Sequence, residues 1–96
     1  MIIVGDSIIH GKGLFARQDI RKNTIIGEVT GCITGEDGPY VLWLTDTQGI
    51  RVENDLRYIN HSAKPNAIYY DDLTVVALKD IKAGEEITHY YGEGWD

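Results

Sequence analysis

The chain has little of what staples or anchors a small protein. Among its 96 residues there is a single cysteine, Cys32. One cysteine makes no internal disulfide and no cysteine-based zinc site. In an apolar stretch, Cys32 is expected to be a small buried hydrophobe. No apolar run approaches the ~18 residues of a membrane span, and no basic-then-apolar leader opens the sequence. These absences lead us to expect a soluble chain in a reducing cytoplasm, with no membrane contact. There is also no convincing long amphipathic helix, no low-complexity segment and no linker. Basic residues are outnumbered, nine Lys and Arg against fifteen Asp and Glu, giving a net charge of −6 and a pI near 4.9. That balance disfavours direct nucleic-acid binding and suits a basic partner.

What is present is β-forming and turn-forming. Hydrophobic residues make up 43% of the chain, ordinary for a globular protein, and the length fits one domain over 1–96 with a modest core. Runs rich in β-branched and aromatic residues are expected as strands: 2–4, 8–9, 14–16, 24–29, 40–44, 50–52, 67–70, 73–78 and 86–90. Asp71-Asp72 suggests a tight hairpin between two of them. Residues 54–59 are expected to hold one helical or 3₁₀ turn. The segment Ala16-Arg17-Gln18-Asp19-Ile20-Arg21 is mirrored by Ala77-Leu78-Lys79-Asp80-Ile81-Lys82, and the register runs on without a gap to Ile26 and Ile87. Each copy is strand, turn, strand, which predicts pseudo-two-fold packing rather than a solenoid.

Three clusters could carry chemistry. Gly11-Lys12-Gly13 lets backbone approach a ligand closely. It lacks the third glycine of a dinucleotide fingerprint and the Gly-Lys-Ser/Thr ending of a phosphate loop. Arg57-Tyr58-Ile59-Asn60-His61-Ser62, continued by Pro65-Asn66, is dense in hydrogen-bonding groups. Turn capping, a metal site at His61 and a Ser62–His61 nucleophile pair are the other readings of it. Only His10, His61 and His89 exist, without metal-ligand spacing, and no orienting acid can be placed. The third cluster is Glu85-Glu86-Ile87-Thr88-His89-Tyr90-Tyr91-Gly92. Six tyrosines stand against one phenylalanine. Strand alternation places Tyr69 and Tyr70 on opposite faces.

Together, in this order, Gly11–Ala16, Arg57–Asn66 and Glu85–Gly92 resemble the SET-domain protein lysine methyltransferases over nearly the whole chain. The resemblance implies a mostly-β, β-clip fold of small sheets, with little helix and a threaded C-terminal segment, lacking cysteine-rich pre-SET and zinc-binding post-SET regions. It implies S-adenosylmethionine as cofactor, held by Gly11, Lys12, Gly13, Arg57, Tyr58, Asn60, His61, Tyr91 and Trp95. The substrate lysine would enter a channel lined by Tyr40, Tyr58, Tyr69 and His89, with Tyr91 as the catalytic tyrosine. Two departures stand out. Tyr90 replaces the Asp common in eukaryotic members. His89 replaces an aromatic that limits methyl number, which leaves product multiplicity open.

The chemistry explains the residue types. A lysine with a pKa near 10.4 is disfavoured in its neutral form at pH 7 by roughly 4–5 kcal/mol. An apolar channel lowers that cost and keeps the lysine stem aligned. Tyr91, with a pKa of about 10, is expected to orient the amine rather than deprotonate it. By analogy with compact viral members, a homodimer is expected, and a basic histone-like or ribosomal protein as substrate. A chromatin-associated setting follows if the source is eukaryotic or viral. Two alternatives are a non-catalytic module binding cofactor or basic peptide, and a structural β-clip domain.

Overall fold

The computed structural model describes residues 1–9, 11–38, 40–43, 45, 47–70 and 72–89. The described residues form ten short strands and one 3₁₀ turn. β1 (Ile2–Asp6) and β2 (Lys12–Ala16) form a hairpin. β3 (Ile25–Glu28) follows, then β4 (Gly31–Thr34), β5 (Val41–Trp43) and β6 (Gly49–Val52). The 3₁₀ turn Asp55–Tyr58 leads into β7 (Asn60–His61). β8 (Ala67–Tyr69), β9 (Thr74–Ala77) and β10 (Glu86–His89) complete the described chain. The strands form three small sheets in the orders β1-β2-β10-β7, β3-β9-β8 and β4-β6-β5. Within them, β7 and β10 run parallel, and the other pairs are antiparallel. None of the described helices is long and apolar enough to cross a membrane.

The mirrored segments lie across a local two-fold axis. Ile20 and Ile81 donate to each other's carbonyls, both at 2.7 Å. The Asp19 carboxylate accepts the Ala83 N–H at 2.9 Å, and the Asp80 carboxylate accepts the Lys22 N–H at 2.8 Å. Gly84 N–H donates to Ala16 C=O and Asn23 N–H to Ala77 C=O, each at 2.8 Å. Asn23 and Gly84 hold equivalent left-handed positions, φ 71° and 91°. That region suits Gly and, among side-chain-bearing residues, Asn.

The strands are exchanged between the two units. The first strand of residues 12–28, β2, pairs with the second strand of residues 73–89, β10. Conversely, β9 pairs with β3. The registers Glu86↔Phe15 and Ile25↔Val76 are equivalent. The core follows the same symmetry: Leu14 and Val75, Ala16 and Ala77, Ile20 and Ile81, Ile26 and Ile87 are all buried. Because each unit completes the other's sheet, neither half buries its apolar face alone.

The strand expectations hold for most runs, and the 3₁₀ turn lies where it was expected. The β8–β9 hairpin forms, with Tyr70 N–H bonded to Thr74 C=O at 2.9 Å and Asp72 accepting from Thr74 N–H and Oγ–H. Residues 8–9 are a correction. They sit at the tip of the β1–β2 hairpin, where Ser7 N–H bonds Gly11 C=O, and Ile8 is fully exposed. Cys32 is a second correction. It is exposed on β4, and its thiol lies 3.6 Å from a Glu53 carboxylate oxygen. β4 is an edge strand, so its outer side has no second layer to bury it.

Candidate functional site

β10 brings the sequence clusters together. On one side it pairs with β2, which follows directly on Gly11. On the other it pairs in parallel with β7, in the register Asn60↔Thr88 and His61↔His89. The loop after β7 closes over the same strand. Ser62 N–H donates to His89 C=O at 3.0 Å, and Asn66 N–H to Thr88 C=O at 3.2 Å. The buried Asn66 side chain fastens this loop. It donates to Glu86 C=O and accepts from Thr88 N–H, both at 2.8 Å, while the main-chain carbonyl of Asn66 accepts from Leu78 N–H at 2.8 Å. A buried amide with these polar atoms satisfied is costly to replace. No role was assigned to Asn66 from sequence. Its signal was a Pro-Asn turn just after an Asn-His pair.

Asn60 faces the β1–β2 hairpin. Its Nδ2 lies 2.8 Å from Glu86 Oε2, 3.1 Å from Lys12 C=O and 3.2 Å from Ser7 Oγ. Ser7 Oγ–H donates to the Glu86 carboxylate, at 2.7 and 2.9 Å from its two oxygens. Gly13 makes room for this cluster. A Cβ there would lie 2.5 Å from Glu86 Oε2 and 2.9 Å from Ser7 Cβ. Gly11 adopts φ 39° and is exposed, and a Cβ on it would meet nothing within 4 Å. The Lys12 ammonium turns away to Asp6 at 2.8 Å, an exposed pair. That contact raises the Lys12 pKa and lowers that of Asp6, through the hydrogen bond first and the opposite charge second. Ser7 carried no sequence signal, because its partners are far away along the chain.

The aromatic residues fall into two groups. Tyr40 and Tyr58 meet edge-on, with ring centroids 5.9 Å apart and planes at 72°. The Arg57 guanidinium lies 4.5 Å from the Tyr58 centroid and 5.9 Å from that of Tyr40. It donates to Tyr58 Oη at 2.9 Å, to Glu53 C=O at 2.6 Å and to Asn54 C=O at 3.3 Å. Arg57 thus ties the 3₁₀ turn to its own aromatic neighbour. In the second group Tyr69 meets the His89 ring edge-on, with centroids 4.3 Å apart and planes at 83°. Tyr69 Oη donates to Leu56 C=O at 3.5 Å, which links this group to the same turn. Tyr70 is exposed, as strand alternation required.

His89 is half-buried. Burial, and secondarily the nearby His61, push its pKa down from 6.5 to about 4. At neutral pH the ring beside Tyr69 is uncharged. Tyr91, Tyr90 and Trp95 lie outside the described residues, as does any threading of the chain after His89.

With this geometry in place, comparison with known proteins is informative. The SET domain family matches residues 11–92. The histone-lysine N-methyltransferase MEDEA of Arabidopsis thaliana is 30% identical over 97% of this chain, which spans 17% of that protein. The H3 lysine-4 specific histone-lysine N-methyltransferase of Schizosaccharomyces pombe is 31% identical over 91% of this chain, which spans 12% of it. Among solved structures, an active polycomb repressive complex 2 in the stimulated state superposes with a TM-score of 0.84. It is 26% identical, covering 97% of this chain and 15% of the other. The chain therefore spans less than a fifth of these relatives.

Proposed function

Given that this chain belongs to the SET-domain family, we propose that it transfers a methyl group from S-adenosylmethionine to the ε-amine of a lysine in a basic protein. One observation carries this reading most directly. The Asn60-His61 pair and the Thr88-His89 strand end, far apart in sequence, are hydrogen-bonded parallel neighbours. Gly11 is exposed, and the Asn60 amide is hydrogen-bonded to the main chain of its neighbour Lys12, so main-chain and amide groups of the first two clusters lie side by side. Such donors and acceptors suit the charged amino-acid end of the cofactor, so the residues present fit it.

In this reading the cofactor supplies an electrophilic methyl group, and the protein supplies position and dryness. Gly11, Lys12 and Gly13 offer main-chain groups, and Asn60 and His61 offer side-chain and strand hydrogen bonds. Arg57 holds Tyr58 against Tyr40, so one wall of the lysine channel is fixed before substrate arrives. Tyr69 and His89 form another wall. An uncharged His89 matters here, because a protonated imidazole would repel the incoming ammonium. Tyr91 would orient the amine, and Trp95 would stack on the adenine or close the channel. The acidic surface attracts a lysine-rich segment.

The relatives' names concern histone lysines, so a histone tail is the first substrate to try, in a chromatin setting. Calorimetric titration with S-adenosylmethionine, paired with transfer of labelled methyl to mixed histones and ribosomal proteins, tests the whole reading. Binding with transfer is expected. Absence of binding would overturn it. Sedimentation across a concentration series tests whether a second copy joins the site, and a fully active monomer would end that part.

A further inference from the structure

Glu86 sits at the start of β10 with its carboxylate turned toward Ser7 and Asn60. A carboxylate in that place is not required by the scaffold. The position equivalent to Glu86 in the first unit is Ile25, whose side chain is 60% exposed. The position equivalent to Gly13 is Thr74, which carries the side chain that Gly13 must lack. One unit therefore has a solvent-facing isoleucine where the other has a carboxylate, a serine hydroxyl and an emptied glycine position converging on one amide.

We propose that Glu86 is a positioning residue for Asn60. With Ser7 it holds the amide nitrogen inward, above Gly13, and so fixes the orientation in which the Asn60 side chain meets S-adenosylmethionine. This inference rests on the cofactor reading given above. The physical basis is that an asparagine amide has two donors on one end and an acceptor on the other. Without a fixed acceptor the group rotates, and a ligand must then order it on binding. A charged acceptor at 2.8 Å orders it beforehand. Lys12 C=O adds a second acceptor at 3.1 Å, so the amide also ties the glycine loop to β7.

The test is a cycle on cofactor affinity, with Glu86→Gln, Asn60→Ala and the double variant titrated by calorimetry. Glu86→Ile is added because the equivalent place already tolerates isoleucine. If Glu86 acts through Asn60, Glu86→Gln weakens binding about tenfold in the intact background, equivalent to about 1.4 kcal/mol. In the Asn60→Ala background it weakens binding less than about twofold, since coupled residues are not additive. Glu86→Ile is expected to lose affinity while its thermal midpoint stays near that of the parent chain. Equal loss in both backgrounds, or none in either, overturns the proposal while leaving the cofactor reading intact. A parent chain that binds no S-adenosylmethionine overturns the cofactor reading, and with it the role in binding. The nuclear magnetic resonance signal of the Asn60 amide then decides the holding itself. Amide protons protected from exchange in the parent chain and released in Glu86→Gln support it; protection unchanged in the variant overturns it.

Discussion

Residues 12–28 and 73–89 are two copies of one strand-turn-strand unit that have diverged in what they carry. Their buried positions match, their turns match, and their hydrogen bonds across the axis match within about 0.1 Å. Their edges do not. In the first unit β3 ends a three-stranded sheet, whereas its counterpart β10 receives β7 on the same side. That one addition brings Asn60 and His61 to the second unit, and the loop bearing Asn66 follows. The symmetric interior holds the fold, and the asymmetric edge holds the site. A scaffold stabilised by its own axis can alter one edge without disturbing the core, because the altered residues lie outside the shared packing.

The sharpest way to break this comparison is at the chain position just past each second strand. Tyr91 in the second unit corresponds to Thr30 in the first. Tyr91→Phe is expected to lower methyl transfer by more than about a hundredfold, in the range of a lost transition-state hydrogen-bond donor, while cofactor still binds. Thr30→Ala is expected to leave turnover unchanged. Single-turnover assays on both variants read the difference. Parental turnover in Tyr91→Phe would remove the catalytic assignment.

The interior should respond the opposite way, with equal effects in the two units. Ile20 and Ile81 are both buried and donate to each other across the axis. Ile20→Ala and Ile81→Ala are each expected to cost about 3 kcal/mol, the usual range for such truncations. Denaturant melts should place the two within about 1 kcal/mol of each other. A loss confined to one of them would mean that the axis is geometric without being energetic.

The axis was legible because the turn Asp-Ile-basic recurs in register and because both copies place alanine and isoleucine at the same positions, Ala16 and Ala77, Ile20 and Ile81, Ile26 and Ile87. The edge was legible only in part. The Asn60-His61 and Glu85–Gly92 clusters drew attention through their composition and resemblance. Ser7 did not, and Asn66 was included in its cluster without a role, since what both do depends on partners brought near by sheet pairing. β4 escaped notice because an edge strand with an exposed face gives no alternation of burial to read. Residues 8–9 misled in the opposite sense. Two β-branched residues signal a strand, but the turn between β1 and β2 prevailed over their propensity.

The site edge also predicts a pH dependence, carried by His89. His89 corresponds to exposed Glu28. Its folded pKa, about 4, lies below the unfolded value of 6.5. Above pH 6.5 the ring is neutral in both states and contributes no slope. As pH falls from 6.5 toward 4 the unfolded chain takes up the proton and the folded chain does not, so stability declines. After allowance for solvent at a half-buried ring, the loss is expected to be about 1–2 kcal/mol. His89→Phe should flatten that part of the stability profile. A parent chain whose His89 signal titrates near 6.5 in nuclear magnetic resonance would remove the effect.

The smallest expected effect is the finest test of equivalence. Asp19 and Asp80 each cap the opposite unit's turn through one main-chain N–H. Both carboxylates are exposed, so each bond contributes only about 1 kcal/mol. Asp19→Ala and Asp80→Ala should therefore lower stability by similar amounts. Their losses need not add, because the Ile20–Ile81 pair lies between the two caps and loosening one turn relaxes the other. A double variant that loses less than the sum would show that the two turns act as one element. Additive losses would show two independent turns that share an axis in geometry alone.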